Sequence, residues 1–190
     1  DPDATYRNKS GKLYRGYAAN IEETVGKNGS VVTDYQYDKN THTDSLFLQE
    51  SLSAMEKFEE EIILITDGGY DGQDNIALAK EKNVRLVTTA LIGKEAPDAL
   101  ADFEFNEDGT RLLKCAAGHE SVSQSFTKIT RQCRVSFDRN HCAGCPYQEQ
   151  CRPKIYKKVV TFITSKNASN RAKSQRYMQS EEFSHLARLR

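Results

Sequence analysis

Two kinds of side chain in this sequence have types and spacing that suit chemistry. The first is a carboxylate, Asp67, which follows the apolar run at residues 62–65 and directly precedes two glycines. The second is a set of thiols, because all five cysteines lie between residues 115 and 151. A carboxylate at the carboxyl end of a strand favours a ligand or metal site. Thiols clustered in one short segment favour a metal in a reducing compartment over a disulfide scaffold.

The apolar run ahead of Asp67 predicts a central strand buried on both faces, because three of its four residues are β-branched. Gly68 and Gly69 then let the backbone turn sharply, and Asp71 is predicted to cap the following helix. This strand, turn and helix place Asp67 where open α/β sheets bind ligands. The same residues are typical of turns without chemistry, and the pattern alone leaves both interpretations open.

Four of the cysteines predict a structural zinc site. Cys142 and Cys145 form a CxxC pair, whose turn brings both sulfur atoms to one side. Structural zinc takes four tetrahedral ligands, and Cys151 and the more distant Cys115 complete the set. A closed site of four thiolates holds a fold together and leaves no open position for catalysis.

Other ligands and other chemistry stay open at the cysteines. His119, His141 and Cys133 are reserve ligands. An iron–sulfur cluster uses the same thiolates. A redox CxxC is disfavoured because no thioredoxin-like strand and helix surround it. Reduced thiols without any metal are the remaining alternative.

The net charge of zero hides two halves of opposite sign. Residues 1–111 contain 22 acidic and 12 basic residues, and residues 112–190 contain 5 acidic and 15 basic residues. The net charges are therefore −10 and +10. This asymmetry suits a protein that holds a metal in one place and a polyanion in another, and it is equally compatible with an ordinary solvated surface.

Periodicity predicts the elements ahead of the central strand. Residues 1–11 are polar and predict a loop. Alternation at residues 13–25, a turn signal at 26–29 and a β-branched and aromatic segment at 31–37 predict a β-hairpin. A helix is predicted to begin at Thr43 and Asp44. Its apolar stripe is Leu48, Leu52, Met55 and Phe58.

The elements after the central strand predict a parallel βαβ unit. A helix at about residues 73–82, ended by Asn83, leads to a strand at 84–89. A mixed sheet with the hairpin beside the parallel strands is expected. Farther on, residues 155–164 predict a strand and residues 170–190 a long helix.

The last helix is rich in cations, which suit binding to a phosphate backbone. A solvated helix is the alternative. The basic residues are Arg171, Lys173, Arg176, Arg188 and Arg190.

Several segments together resemble the DDE transposases of bacterial insertion sequences. They are residues 14–20, 33–44 and 66–72, of which DGGYDG at 67–72 is the most specific. The cysteine segment at 142–146 resembles the insertion of one branch of that family, and the helix at 171–190 resembles its last catalytic helix.

The resemblance implies a ribonuclease-H-like fold, so the expected class is α/β, with a ribonuclease-H-like mixed sheet and helices. A small cysteine-rich insertion is added to it, whose zinc site is predicted from the cysteine spacing. The implied domains are an incomplete catalytic core at 1–92, the insertion at 93–153, and a final strand and truncated basic helix at 154–190. It also implies two Mg²⁺ (or Mn²⁺) ions held by an Asp-Asp-Glu triad for in-line phosphoryl transfer. Asp67 matches the second Asp of that triad.

The sequence departs from the family pattern at the other two carboxylates. The first Asp is expected on a strand before the hairpin, and Asp1 and Asp3 in the predicted loop are poor substitutes. The Glu is expected just after an arginine that Arg190 matches, whereas Glu181 and Glu182 precede it by two turns or more. Because one triad carboxylate cannot hold two ions, we expect this chain to be inactive alone. The absence of an initiator Met and of a cap after the last helix favours a partial chain.

The expected function is DNA strand cleavage and transfer that moves an insertion sequence. The expected partners are the transposon ends and target DNA, with a homodimer for the complete protein. A bacterial cytoplasmic, nucleoid-associated location is expected, and no apolar run approaches the roughly 20 residues that span a membrane. Two alternatives remain: a non-catalytic, zinc-stapled nucleic-acid-binding module or remnant, and a free-standing metal-dependent nuclease.

Overall fold

The computed structural model describes residues 1–91 and 93–190 and divides the chain into two compact units. Asp1–Ile92 with His185–Arg190 form the first unit, and Gly93–Ser184 form the second. Several small sheets and helices make up a mixed α/β structure, which confirms the predicted class. None of the helices in the described ranges has the length and apolar character that crossing a membrane requires.

The first unit begins with a three-stranded antiparallel sheet. Its strands are β1 (Thr5–Lys9), β2 (Lys12–Gly26) and β3 (Gly29–Lys39), in that order. The predicted hairpin is confirmed, but the predicted loop at residues 1–11 is wrong because it contains β1. Ser10 and Gly11 have φ of 53° and 79°, which makes a two-residue hairpin turn between Lys9 and Lys12.

The parallel βαβ unit is confirmed. It consists of β4 (Ile62–Thr66), α2 (Gln73–Glu81) and β5 (Val84–Thr88), with β4 and β5 paired in parallel. The prediction that β4 is buried on both faces is wrong, because Ile62 and Ile63 are 42% and 41% exposed. The two strands form a sheet of their own, separate from β1–β3, so the expected continuous mixed sheet is not formed by these strands.

Helix α1 (Asp44–Ala54) begins as predicted, since the Thr43 hydroxyl accepts a hydrogen bond from the Leu46 amide. It ends before Phe58, which the sequence places on the helix and which is 37% exposed. Leu48 and Leu52 from α1 pack in one buried cluster with residues of the βαβ unit. This cluster fixes the strand that leads to Asp67.

The second unit is built around a four-stranded antiparallel sheet and a short strand pair. The sheet order is β10-β11-β9-β8, and β6 pairs with β7. The strands are β6 (Glu104–Phe105), β7 (Leu112–Lys114), β8 (Ser123–Thr127), β9 (Gln132–Asp138), β10 (Lys154–Ile155) and β11 (Val159–Thr164). The helices are α3 (Arg139–Cys142), α4 (Gln148–Cys151), α5 (Lys166–Tyr177) and, at the end of the chain, α6 (Glu181–Ala187).

The predicted boundary after residue 92 falls on a residue outside the described ranges, and the three predicted domains stay a prediction. The strand predicted at 155–164 is two strands, β10 and β11, and β11 pairs with β9 within the second unit. The apolar residues of this segment predict a strand, but the turn at residues 156–158 was not predicted.

The long helix predicted at 170–190 is wrong, because the chain breaks between α5 and α6. The Ser180 hydroxyl accepts a hydrogen bond from the Phe183 amide and so starts a new helix. Glu181 and Glu182 lie in its first turn, where negative charge is favourable. A serine followed by two glutamates is the sequence signal for this start.

The Arg176 side chain on α5 is paired with acidic side chains of the same chain. Its guanidinium contacts the Asp98 carboxylate at 2.9 and 3.0 Å and the Asp102 carboxylate at 2.7 and 2.9 Å. These hydrogen bonds hold the pKa values of both carboxyl groups below their usual range. Arg171 likewise donates to the Lys94 carbonyl at 2.8 Å. Two cations predicted to meet DNA phosphates therefore contact the chain itself.

We predict that Arg176→Gln lowers the melting temperature at pH 7 because both carboxylates lose their charged partner. The carboxyl pKa values are depressed in the folded state, so the stabilisation is present above the unfolded pKa and is lost as pH falls below about 4. Thermal melts of both proteins from pH 7 to pH 2.5 should therefore converge at the acidic end. A constant difference across this range would contradict the ion-pair account.

Candidate functional site

Asp67 lies at the carboxyl end of β4 and caps the turn that follows. Its Oδ1 accepts a hydrogen bond from the Gly69 amide at 2.7 Å, at the start of a 3-10 turn over Gly68–Tyr70. The prediction that Asp71 caps the next helix is wrong, since the residue at that cap is Gly72 and no side chain bonds there. The capping carboxylate is Asp67 itself.

The other oxygen of Asp67 meets an arginine from the end of the chain. Arg190 Nη2 lies 3.1 Å from Asp67 Oδ2, and Arg190 Nη1 donates to the Thr89 hydroxyl at 3.0 Å. Thr89 follows β5 and its amide donates to the Thr66 carbonyl at 2.8 Å. Arg190 therefore bridges the carboxyl ends of both parallel strands. Both side chains are nearly half exposed, so this pair orients more than it stabilises.

Asp44 is a second carboxylate at this turn, and the sequence analysis did not assign it to the site. A Cβ at Gly69 would collide with Asp44 Oδ2 and lie 3.0 Å from Asp67 Oδ1. Both carboxylates therefore converge on one glycine. Arg7 Nη1 lies 3.9 Å from Asp44 Oδ1. The sequence signal was a helix-start aspartate, which has an ordinary structural explanation and so did not stand out.

Tyr70 and Asn75 fix the position of the turn through side-chain hydrogen bonds. The Tyr70 hydroxyl donates to Asn20 Oδ1 at 2.7 Å, and burial, followed by the negative charges of Asp44 and Asp67, raises its pKa. Asn75 is fully buried, and its side-chain amide donates to the Tyr70 carbonyl at 2.8 Å. A satisfied buried amide of this kind fixes the backbone that carries both carboxylates.

The other acidic candidates have different contacts. Asp1 accepts a hydrogen bond from the Tyr17 hydroxyl at 2.6 Å, and Glu181 and Glu182 lie in the first turn of α6. Within residues 1–91 and 93–190, no three or more His, Cys, Asp and Glu side chains form a group that could hold a metal ion. The described residues therefore do not by themselves fit the two-ion site that the resemblance implies.

The four cysteines predicted as zinc ligands line one cavity in the second unit. Cys115 follows β7, Cys142 ends α3, Cys145 follows it in a turn, and Cys151 ends α4. The cavity also includes His119 and His141 among its lining residues. Because four segments converge there, residues 36 positions apart in the sequence share one small space.

Two tight turns present these thiols. The Gly118 amide donates to the Cys115 carbonyl at 2.8 Å, and the Cys145 amide donates to the Cys142 carbonyl at 3.3 Å. Gly118 and Gly144 have φ of 80° and 74°, where glycine is strongly favoured. Each turn brings a cysteine to the cavity wall.

The thiols in the cavity influence one another. Burial, then the neighbouring Cys145, Cys115 and Cys142, raises the pKa of Cys151 to about 11. The pKa of Cys142 is raised by burial and by Cys145 and Cys115. Without an ion, both thiols are neutral near pH 7.

Cys133 belongs to a different environment. It is fully buried in β9, and its thiol donates to the Thr110 carbonyl at 3.3 Å. The two reserve histidines stack on each other, with ring centroids 4.2 Å apart. The structure thus separates the fifth cysteine from the four that share the cavity. Each of the five is a free thiol.

No protein-family model, curated protein or solved structure matches this chain.

We predict that Gly69→Ala lowers the free energy of unfolding by about 1–2 kcal/mol, because the new methyl group would crowd the Asp67 carboxylate and turn the partly exposed Asp44 side chain away. Gly72→Ala is the matched control, since a Cβ there has no neighbour within 4 Å, and we expect a change within about 1 kcal/mol. Urea unfolding of both variants measures this difference. Equal effects of the two substitutions would contradict the crowding at Gly69.

Proposed function

We propose that this chain is part of a DDE-type transposase with a ribonuclease-H-like core, which cleaves and transfers DNA strands with Mg²⁺ or Mn²⁺. Asp67 supplies one of its metal-binding carboxylates. The observation that carries the proposal is the pairing of Arg190 with Asp67 at the ends of β4 and β5. Arg190 matches the family arginine that comes just before the catalytic Glu. The pair of Arg190 and Asp67 brings the chain just before the expected Glu close to Asp67.

The state of β4 supports the same proposal. Its partner among the described strands is β5 alone, and Ile62 and Ile63 leave apolar surface exposed. Strands of parallel sheets are normally covered on both faces. The resemblance places a strand with the first Asp before the hairpin, and such a strand paired with the other edge of β4 would extend the sheet and bring a further carboxylate.

The second carboxylate at Gly69 adds negative potential beside Asp67. Two acidic groups that converge on one turn attract cations, and Arg7 and Arg190 balance this charge in the described chain. When bound, divalent ions would supply charge stabilisation for phosphoryl transfer. Residues 1–190 contribute Asp67 to that site and, by the resemblance, require two carboxylates from outside this sequence. DNA is the proposed partner, bound by a dimer by analogy with the family.

We predict that residues 1–190 alone do not nick a labelled DNA duplex in Mg²⁺ or Mn²⁺, because one triad carboxylate cannot hold two ions. The assay is gel electrophoresis of the end-labelled strands. Robust cleavage by this chain that survives Asp67→Ala would overturn the assignment of the site.

The protein that contains residues 1–190 with the other two carboxylates should cleave transposon-end DNA. Asp67→Asn should reduce this cleavage at least about 100-fold, since even outer-shell partners of metal ligands contribute 10–100-fold. Asp71→Asn is the matched control in the same turn, and it should retain cleavage. Full activity of Asp67→Asn would contradict the proposal. DNA binding that never leads to cleavage, and that ignores Asp67, would instead favour a non-catalytic binding module.

A further inference from the structure

We propose that Cys115, Cys142, Cys145 and Cys151 bind one structural Zn²⁺ in the cavity that they line. This site lies in the second unit and does not depend on the proposed DNA chemistry. The sequence left seven candidate ligands and several kinds of chemistry open. The structure removes Cys133 from the candidate ligands, because it does not line the cavity and its thiol donates to the Thr110 carbonyl.

The choice of ligands follows from position. Cys133 is satisfied elsewhere, because its thiol donates to the Thr110 carbonyl. His119 and His141 stack face to face, with 9° between the ring planes, and are the remaining donors at the cavity. Four thiols make a complete tetrahedral set without them. Because Cys133 is excluded as a ligand, its substitution serves as the control.

The purpose of the ion follows from the segments that it would join. Cys115 lies on the turn after β7, whereas the other three thiols lie on short helices and a turn of only a few residues each. Helices of four residues, such as α3 and α4, are not stable on their own. An ion bound to all four segments would hold them against the aromatic pair Phe137 and Phe162, which also line the cavity.

The described arrangement is not yet a coordination sphere. None of the groups formed by the described residues has the geometry to hold a metal ion, so binding of zinc would require the four sulfur atoms to come within about 2.3 Å of one point. The ligands lie on turns and at helix ends, where such movement is least restricted. Any proton on a ligand thiol would pass to the solvent as the corresponding Zn–S bond forms.

The direct test is metal analysis of the purified chain and of five Cys→Ser variants. We expect about one zinc per chain, with loss of zinc on substitution of Cys115, Cys142, Cys145 or Cys151, and retention in Cys133→Ser. Retention in His119→Ala and His141→Ala would support the four-thiolate set, and loss in either would overturn it. A chain that carries iron with inorganic sulfide, or that holds no metal, would overturn the proposal.

Because loss of a structural ligand can prevent folding, a second measurement uses the unaltered chain. Co²⁺ titrated into the reduced, metal-free protein should give the intense visible bands of a tetrahedral site and thiolate-to-metal charge-transfer bands in the near ultraviolet. The bands should saturate at one equivalent and disappear when Zn²⁺ is added. Absence of these bands, or a disulfide between Cys142 and Cys145 in the native protein, would contradict a zinc site.

Discussion

The hydrogen bond from the Gly69 amide to the Asp67 carboxylate is the interaction on which the candidate site depends. It ends β4, starts the 3-10 turn and leaves the second carboxylate oxygen free to meet Arg190. Because Gly69 has no Cβ, Asp44 can approach from α1 to the same point. This capping bond therefore orients the Asp67 carboxylate, and the absence of a Cβ at Gly69 leaves room for Asp44 beside it.

Much of the local structure of the first unit could be predicted from the sequence. The hairpin and the βαβ unit have strong periodicity and turn signals, and both are present. The Ser10-Gly11 turn and the start of α6 at Ser180 were missed although each has a local signal. The burial of β4 could not be predicted, because an apolar run shows that a strand can be covered and does not show which neighbours cover it.

The site was only partly predictable for a related reason. Asp67 follows from its position after an apolar strand, but Asp44 reaches the same glycine through the packing of α1, which periodicity does not specify. For Arg176, the sequence suggested a functional role where the structure shows a structural one. Its sequence position suggests a DNA contact, whereas two carboxylates 74 and 78 residues away bind it. Partners at such separations cannot be read from spacing.

The cysteines show what chain folding adds to a motif. Spacing identified the CxxC pair, and the structure brings Cys115 and Cys151 to the same cavity while it places Cys133 against a backbone carbonyl. The two units thus contain different kinds of candidate metal-binding side chain. Carboxylates at a strand end suit hard cations such as Mg²⁺, and clustered thiols suit zinc.

We propose that Asp67 is the second of three catalytic carboxylates. The most direct measurement is the DNA sequence on both sides of the codons for residues 1–190. The account predicts an open reading frame that continues upstream into a strand ending in Asp, and downstream to a Glu within a few residues of Arg190. Stop codons on both sides, or a frame without these two carboxylates, would contradict it.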